Sequence, residues 1–404
     1  MQTYSKTKDS GVEWLGRIPQ EWSLSKISAN FRRKKIRGMV NEELLSVYRD
    51  YGVVIKSSRD DNHNAASEDL SNYQLVEAGD LVTNKMKTWQ GSIAISEYRG
   101  IVSPAYFILS PTSTKMVPKY IHYLLRSPIY IAQYNRFSKG IRIGQWDLEY
   151  EQFKTFPLLL PPHEIQQKIA DSLDTETAQI DNLIAKQERL LELLEEKRRA
   201  TITHAVTRGL NPSVELKETN IPWIGRIPTD WKLAKIKTIA EINNGADYKD
   251  IELSDGGYPV IGSGGEFARA SRYAYDGKSV LFGRKGTVDK PLFFEGKFWT
   301  VDTMFWSKID EKHAVPKFVY YAALAIPYDY YQTKTALPSM TQSNLLNHHI
   351  ALPGMDTQQK ISDSLDSYSR KTDELKQKIQ TQIALLRERR TSLISHAVTG
   401  KVMI

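Results

Sequence analysis

The 404-residue sequence predicts an α+β protein with two similar globular units, each followed by one long helix. Two observations carry this prediction. Motifs of the first half return in the same order in the second half, and each copy ends in a long stretch without proline or glycine. The two helices are expected to pair as an antiparallel coiled coil, which would give the molecule an internal pseudo-twofold symmetry.

The duplication is visible in several long strings. WLGRIPQEW begins at Trp14 and WIGRIPTDW begins 209 positions later, at Trp223. LPPHEIQQKIADSLD ends at Asp174 and LPGMDTQQKISDSLD ends 192 positions later, at Asp366. VPKYIHYLL and VPKFVYYAA lie between these motifs, and THAVT and SHAVT follow them. Because the order is kept while the spacing shrinks, the second copy has a shorter variable part.

The motif positions divide the chain into four segments. We expect globular units over residues 1–160 and 211–352, and helices within 161–210 and 353–404. Short β-branched and aromatic runs such as GDLVTNKM and KSVLFGRKG, with turn signals between them, predict strands in both globular units. Single helices are predicted at 117–127 and 315–326.

Each long helix carries apolar residues at alternating steps of four and three, which is typical of a coiled-coil seam. The alternative is that each helix packs on its own globular unit. The predicted coiled-coil interface consists of Ile169, Leu173, Ile180, Leu183, Leu190, Leu194, Ile361, Leu365, Leu375, Ile379, Leu386 and Leu393.

The composition favours an anionic partner. Lys and Arg total 55 against 47 Asp and Glu, which gives a net charge of +8. Nucleic acid is the first candidate for such a partner, and an anionic membrane surface the second. The absence of cysteine excludes disulfides and cysteine-metal sites. With no secretory signal and no long apolar run, a cytoplasmic protein that does not enter a membrane is expected.

Catalytic motifs are missing from the sequence. Gly277-Lys278-Ser279 resembles the end of a phosphate-binding loop, but Arg272 occupies the position of the first glycine. The glycines from Gly262 fail the dinucleotide pattern because Phe267 replaces the last one. There is no metal-binding histidine pattern and no NPPY or DPPY tetrapeptide. The chain is therefore predicted to bind rather than catalyse, with no catalytic residue, metal or cofactor of its own.

Cationic loops after predicted strands are the candidate nucleic-acid contacts, because Lys and Arg bind phosphates while amides and hydroxyls read base edges. Ordinary solvated hairpins are the alternative. The cationic run FRRKKIR, Phe31 to Arg37, either faces phosphates or is a solvated helix end. The candidates are Asn84, Lys85, Lys87, Trp89, Gln90, Lys139, Arg142 and Gln145 in the first unit, and Arg269, Arg272, Arg284, Lys285, Lys334, Ser339 and Gln342 in the second.

The four tryptophans of the repeated opening motif allow two interpretations. Trp14, Trp22, Trp223 and Trp231 could stack on bases or anchor the start of each unit on the base of its helix. Anchoring is the preferred interpretation, because a large ring with one polar atom suits a half-buried junction.

The duplicated openings, the string GDLVTNKMKTWQGSIAISEYRGIVSPAYF and the two tails ending in HAVT resemble the specificity subunits of type I restriction-modification systems. The resemblance covers nearly the whole chain. It implies two target-recognition domains that each read one half of a split double-stranded DNA sequence, spaced by an antiparallel pair of helices. It also implies that the chain docks two methyltransferase subunits and motor-nuclease subunits, which use S-adenosylmethionine, ATP and magnesium. Where the family usually has a Glu-Gln pair, both copies read Gln-Gln, and no functional consequence is expected.

Two rival functions remain open from the sequence. A stand-alone nuclease or methyltransferase would cleave or methylate DNA without partners. An interaction scaffold with incidental DNA affinity would keep its sequence preference when residues 1–160 are exchanged. The sequence does not specify the recognised bases, the spacer length or the stoichiometry.

Overall fold

A computed structural model describes residues 2–49, 51–59, 67–140, 146–331 and 338–404. The chain divides into two compact units. Unit 1 contains Met1–Lys186 and Gln382–Ile404, and unit 2 contains Gln187–Thr381. Both division points lie inside long helices, so each unit combines one globular part with a segment of each helix.

Unit 1 begins with short strands and ends in the first long helix. Its strands are β1 (Thr7–Asp9), β2 (Arg17–Pro19), β3 (Ser23–Lys26), β4 (Phe31–Lys34), β5 (Leu45–Tyr48), β6 (Gly52–Ile55), β7 (Gln74–Val76), β8 (Leu81–Asn84), β9 (Ile93–Ile95), β10 (Gly100–Val102), β11 (Tyr106–Pro111) and β12 (Pro157–Leu160). Its helices are α1 (Ile27–Asn30), α2 (Pro118–Leu125), α3 (Pro128–Phe137), α4 (Tyr150–Phe153) and the first part of α5 (His163–Arg208). The helix predicted at 117–127 is confirmed as α2, which starts with proline at its first turn.

An antiparallel sheet with the strand order β4-β11-β8-β9 supports the variable part of unit 1. Leu81 of β8 lies opposite both Leu109 of β11 and Ile95 of β9. Leu81 and Leu109 are fully buried in one core with Tyr120 and Leu124 of α2. This core fixes β8, and therefore the turn that follows Asn84.

Unit 2 repeats this plan with a larger sheet. Its strands are β13 (Leu216–Glu218), β14 (Arg226–Pro228), β15 (Lys232–Lys235), β16 (Ala240–Asn244), β17 (Glu252–Leu253), β18 (Tyr258–Gly262), β19 (Gly265–Ala270), β20 (Tyr275–Gly283), β21 (Leu292–Thr300), β22 (Met304–Ile309) and β23 (His349–Leu352). Its helices are α6 (Pro316–Leu324), α7 (Tyr328–Tyr331), α8 (Gln342–Asn347) and α9 (Met355–Val398), the last of which continues into unit 1. The helix predicted at 315–326 is confirmed as α6.

The sheet of unit 2 has seven strands in the order β16-β22-β20-β21-β18-β19-β17. Its neighbours are antiparallel except β18 and β21, which run parallel. Gly245 permits a close approach at its edge, because a Cβ there would lie 2.0 Å from the carbonyl oxygen of Val301. The strands β18, β19 and β17 extend this sheet beyond four strands, the size of the sheet in unit 1, and β20 and β21 are nine residues long each.

The conserved frame of the two units is the same. In unit 1 the strand before the long helix, β12, pairs with β3, and in unit 2 its equivalent β23 pairs with β15. The small ladders β1·β2 and β13·β14 also correspond. The internal duplication and the α+β class are therefore confirmed.

The two long helices pack against each other in an antiparallel sense within each unit. In unit 2, Glu195 pairs with Lys376 and Arg198 pairs with Asp373, both at 2.7 Å, so the numbers rise along α5 as they fall along α9. In unit 1, Arg390 Nε lies 2.9 Å from Asp181 Oδ1. Each helix also packs on a globular part, so the two alternatives for the helices occur together. None of the helices in the described ranges has the length and apolar character to cross a membrane.

The buried stripe of each helix departs from the predicted heptad. The buried or half-buried positions along the stripe are Ile169, Leu173, Thr177, Ile180, Ile184, Gln187, Leu191, Leu194, Arg198, Ile202 and Ala205 in α5, and Ile361, Leu365, Ser369, Thr372, Lys376, Ile379, Ile383, Leu386, Arg390, Ile394 and Ala397 in α9. The steps between these positions are four, four and three residues near both ends and alternate between four and three in the middle. They therefore average about 3.6 residues, the period of a straight helix, whereas a strict seven-residue repeat drifts by about 20° per heptad. Leu183, Leu190 and Leu375 were therefore wrongly placed in the interface, since they are 48%, 40% and 43% exposed.

A buried glutamine fastens each globular part to its helix. Gln166 Oε1 accepts a hydrogen bond from the Val117 amide at 2.9 Å, and its Nε2 donates to the carbonyl of Pro161 at 2.9 Å. Gln358 makes the equivalent bonds to Val315 and Pro353 in unit 2. This amide uses both its donor and its acceptor, which a glutamate carboxylate could not do.

Two tryptophans anchor the repeated opening motif at helix ends. A Cβ added to Gly400 would lie 3.2 Å from the Trp22 ring, and one added to Gly209 would lie 3.2 Å from the Trp231 ring. Both rings are nearly fully buried. Trp22 and Trp231 are therefore anchors, but each lies beside the end of the helix that follows the other globular part: Trp22 beside the end of α9, and Trp231 beside the end of α5. Trp14 packs edge-on against Tyr130, and Trp223 stacks on His348.

Candidate nucleic-acid interface

The turn after β8 in unit 1 is held by side-chain hydrogen bonds. The hydroxyls of Thr83 and Thr88 lie 2.6 Å apart and are buried. Asn84 Oδ1 accepts from the Met86 amide at 3.1 Å, and Trp89 Nε1 donates to the Met86 carbonyl at 3.0 Å. Asn84 and Trp89, predicted as DNA contacts, thus hold the turn.

A second loop of unit 1 lies against this turn. Lys139 and Asp147 exchange backbone hydrogen bonds of 3.0 and 2.8 Å, which closes the loop. The Leu148 amide donates to the Lys85 carbonyl at 3.1 Å. The rings of Trp89 and Trp146 pack with their centroids 4.9 Å apart. Two loops 50 residues apart in sequence therefore form one surface, called here the two-loop surface of unit 1.

Cations and an amide side chain project from this surface. Lys87, Gln90 and Lys139 are exposed, and Lys85 is half-buried. Across the part of the chain that the structure describes, none of these lysines forms an ion pair. Arg142 and Gln145, predicted for the same loop, lie outside the described residues. The arrangement can bind phosphates and leaves one amide free to read a base edge.

Unit 2 repeats the same backbone arrangement. The Lys85 amide donates to the Ala105 carbonyl at 3.2 Å, and the Arg284 amide donates to the Thr303 carbonyl at 2.8 Å. The Met340 amide donates to the Arg284 carbonyl at 3.0 Å, as Leu148 does to Lys85. The loop after β20 and the segment before α8 therefore form a two-loop surface of unit 2.

The side chains of this second surface differ from those of the first. The Arg284 guanidinium lies 5.7 Å from the centre of the Phe305 ring and donates to the Asp302 carbonyl at 3.3 Å. Exposed Lys285 pairs through its backbone with Ser339, so the structure brings Arg284, Lys285 and Ser339 together. Lys334 lies outside the described residues. The two surfaces therefore share a backbone arrangement but carry different side chains, which suits them to bind two different sequences.

Three other candidates of unit 2 are placed differently. The Gln342 amide donates to the Ile242 carbonyl, so this side chain is already bound to the backbone. Arg269 pairs with Glu266 at 2.9 Å on β19. Exposed Arg272 precedes β20, whereas Arg284 follows it, and the nine-residue strand spans roughly 30 Å. Arg269 and Arg272 therefore do not join the two-loop surface.

The cationic run from Phe31 is not a helix end, since Phe31–Lys34 forms strand β4, and two of its cations contact side chains of unit 1. Lys34 pairs with Glu77 and with buried Asp80. The Arg33 guanidinium lies 4.9 Å from the centre of the Phe107 ring and 4.7 Å from that of Tyr150. The charge of Lys34 is therefore already matched by carboxylates within unit 1, whereas Arg33 contacts two aromatic rings.

Met86 and Trp146 are surface residues that the candidate set omitted. Met86 is 45% exposed at the tip of the turn. The predicted contacts were charged, amide, hydroxyl and indole side chains, so an apolar residue at the tip of the turn was not among them. The signal in the sequence was a methionine between two lysines, and its exposure is seen only in the structure.

The repeated strings and frames agree with comparisons to known proteins. The family described as "Type I restriction modification DNA specificity domain" matches twice, over residues 34–193 and 228–385. The type I restriction enzyme MjaVIII specificity subunit of Methanocaldococcus jannaschii is 23% identical over 451 residues, covering 100% of this chain and 98% of the relative. A putative type I specificity subunit of Mycoplasma pneumoniae, S.MpnORF615P, is 22% identical, with 60% of this chain and 92% of the relative covered.

Solved structures share the fold. The HsdS subunit of Thermoanaerobacter tengcongensis superposes with a TM-score of 0.54 at 14% identity, over 95% of this chain and 98% of its own. A chain from a structure that addresses complex assembly and conformational transition of the type I R-M system reaches 0.72 at 14% identity, over 94% of this chain and 98% of its own. Two family matches that together span more than half of the residues, one on each duplicated unit, place this chain in the type I restriction-modification DNA specificity family.

Proposed function

We propose that the chain is the non-catalytic subunit that selects DNA for a type I restriction-modification complex. Each two-loop surface reads one half of a split target in double-stranded DNA. The observation that carries this proposal is the repeated frame: Lys85 and Arg284 make the same backbone bonds, while the side chains around them differ. Such a pair suits a target with two unlike halves.

The contacts to DNA are divided between two kinds of side chain. Lys85, Lys87 and Lys139 in unit 1, and Arg284 and Lys285 in unit 2, neutralise phosphates. Gln90 and Ser339 are placed beside these cations and contact base edges.

Partner subunits supply the chemistry. Two methyltransferase subunits and motor-nuclease subunits dock on this chain and bring S-adenosylmethionine, ATP and magnesium. Exposed leucines on the long helices support such docking, since apolar surface on a helix is stabilised when a partner covers it. They are Leu183 and Leu385 in unit 1, and Leu190, Leu193 and Leu375 in unit 2.

Exchange of a globular part tests the proposal. Residues 1–160 are replaced by the corresponding segment of a family member with a different target, and the methylated sequence is mapped across the genome of the host cell. One half of the methylated sequence should change while the other half stays.

The reciprocal exchange of residues 211–352 is the control, and should change only the other half. An unchanged sequence after both exchanges would favour an interaction scaffold. Methylation or cleavage by the purified chain alone would favour a stand-alone enzyme.

A further inference from the structure

Met86 stands at the tip of the cationic turn in unit 1, between Lys85 and Lys87. Its side chain is 45% exposed and belongs to none of the hydrophobic clusters that the described residues form. A single exposed apolar residue is ordinary on a protein surface, so exposure alone assigns no role. Met86 is distinguished by the hydrogen bonds that hold its backbone in place.

Both backbone polar groups of Met86 are bound by side chains. The amide donates to Asn84 Oδ1 at 3.1 Å, and the carbonyl accepts from Trp89 Nε1 at 3.0 Å. At an exposed turn, water would satisfy these groups without restricting the chain. Two dedicated side chains instead fix the direction in which the methionine projects, which lowers the entropy cost of a contact made there.

The turn is also braced from outside. The Trp89 ring packs on Trp146 of the second loop, and the Lys85 carbonyl accepts from the Leu148 amide at 3.1 Å. The backbone of this exposed apolar residue is therefore held in place on a surface that also carries Lys85, Lys87 and Lys139. A phosphate offers no apolar surface for such a side chain to contact, whereas one of the base edges carries an apolar group.

We propose that Met86 contacts the 5-methyl group of a thymine in the half of the target read by unit 1, and that Asn84 and Trp89 are its positioning residues. Thymine presents this methyl group in the major groove, where apolar side chains recognise it by direct contact. Lys85 and Lys87 hold the turn in the groove through the flanking phosphates. This inference rests on the proposed function, since it names one contact of that surface.

Uracil substitution tests the contact. The probes are duplexes with the mapped target sequence in which each thymine is replaced, one at a time, by uracil, which lacks only the methyl group. Binding is measured with the full chain in complex with its methyltransferase partner. For wild type, one replacement in the unit 1 half should weaken binding about fivefold, the scale of one lost apolar contact. For Met86→Ala, the same replacement should have no effect.

Met39→Ala is the matched control, because Met39 lies in the same unit and is 41% exposed. It should keep the wild-type preference for thymine over uracil. If wild type tolerates every uracil in that half, or if Met86→Ala keeps the full preference, the inference is wrong.

The positioning role has its own readout. Asn84→Ala removes the acceptor for the Met86 amide, and Trp89→Phe removes the donor to its carbonyl while keeping a ring. Both should reduce the ratio of thymine to uracil affinity. Asn84→Asp keeps the acceptor and should restore that ratio even if its charge weakens binding overall. An unchanged ratio in all three variants contradicts the positioning role.

Failure of this inference is separable from failure of the proposed function. If the Lys85→Ala/Lys87→Ala variant loses affinity while Met86→Ala changes nothing, the surface binds DNA and only the methionine contact is wrong. If neither variant changes binding, the two-loop surface itself is not the DNA site.

Discussion

Lysines in unit 1 serve two different purposes. Lys34 is mostly buried and lies 3.1 Å from the carboxylate of Asp80. Burial lowers its pKa, but the hydrogen bonds to Glu77 and Asp80 together outweigh burial, so the pKa is raised. Lys85, Lys87 and Lys139 have no acidic partner among the residues that the structure describes. A lysine that is already paired gains little from a phosphate, so only the second group is suited to bind DNA.

Removing two of these charges should weaken DNA binding broadly. In the complex with its partner, Lys85→Ala/Lys87→Ala should bind target and unrelated duplexes less tightly. The slope of log affinity against log salt should become shallower by about 2, because counterions are no longer released from the two phosphates that these lysines neutralise. Affinity measured by fluorescence anisotropy at several salt concentrations checks this.

The control changes two exposed lysines of the same unit, Lys6→Ala/Lys115→Ala, with the same loss of charge. If both pairs alter the slope equally, the effect reflects net charge and the two-loop surface has no special part in it.

At the scale of secondary-structure elements, the sequence predicted both long helices but identified only part of the face that each helix buries. The absence of proline and glycine, with helix-forming residues throughout, was sufficient to predict α5 and α9. The face was assigned by a fixed alternation of four- and three-residue steps, whereas the stripe takes two successive four-residue steps near each end and buries Thr177 and Thr372. Their hydroxyls bond the carbonyls of Leu173 and Tyr368, four residues back in each helix. Burying these threonines therefore costs little free energy, so the buried stripe can include them while some leucines remain exposed.

A pair of substitutions three residues apart tests the corrected face. Ile180 is 3% exposed and Leu183 is 48% exposed. Ile180→Ala should lower the free energy of unfolding by about 2–5 kcal/mol, because it removes buried methyl groups and leaves a cavity. Leu183→Ala should change it by less than about 0.5 kcal/mol. Urea unfolding of the chain without partners gives both values, and equal losses would restore the heptad assignment.

The loops were the part of the site that sequence could only partly predict. The cationic turns after β8 and β20 were found because they follow strand signals at matching places. Their contact with segments 50 or more residues further on depends on backbone bonds such as Leu148 to Lys85. Backbone bonds do not depend on particular side chains, so the sequence does not indicate which loops lie together. Only the folded structure shows this grouping.

At the scale of the whole molecule, a buried neutral histidine is found among the described residues of each unit. Burial lowers the pKa of His122 in unit 1 to about 3, with a smaller effect from Arg126, and lowers that of His348 in unit 2 to about 4. His348 also packs on Trp223, and its Nδ1 lies 2.8 Å from the Tyr331 hydroxyl. Each of these histidines is neutral in the folded state, and its protonation in acid therefore disfavours folding.

Mild acid should destabilise both units. The unfolded chain binds protons at these histidines below about pH 6.5, whereas the folded chain does not until the pH nears 3 to 4. The stability they contribute is thus present above about pH 6.5 and is lost as the pH falls. Urea midpoints at pH 7 and pH 5 should drop less in His122→Asn/His348→Asn than in wild type. His163→Asn, at an exposed position, should behave like wild type.

The duplication was the most reliable prediction at this scale, because long ordered strings repeat, while the different sizes of the two sheets had no comparable signal. The backbone bonds that hold each pair of loops use main-chain atoms of residues such as Lys85 and Leu148, so mutations that alter the side chains at the loop tips leave these bonds intact. Under the proposed function, such mutations would change the bases that one copy selects, while the fold and the preference of the other copy are inherited unchanged.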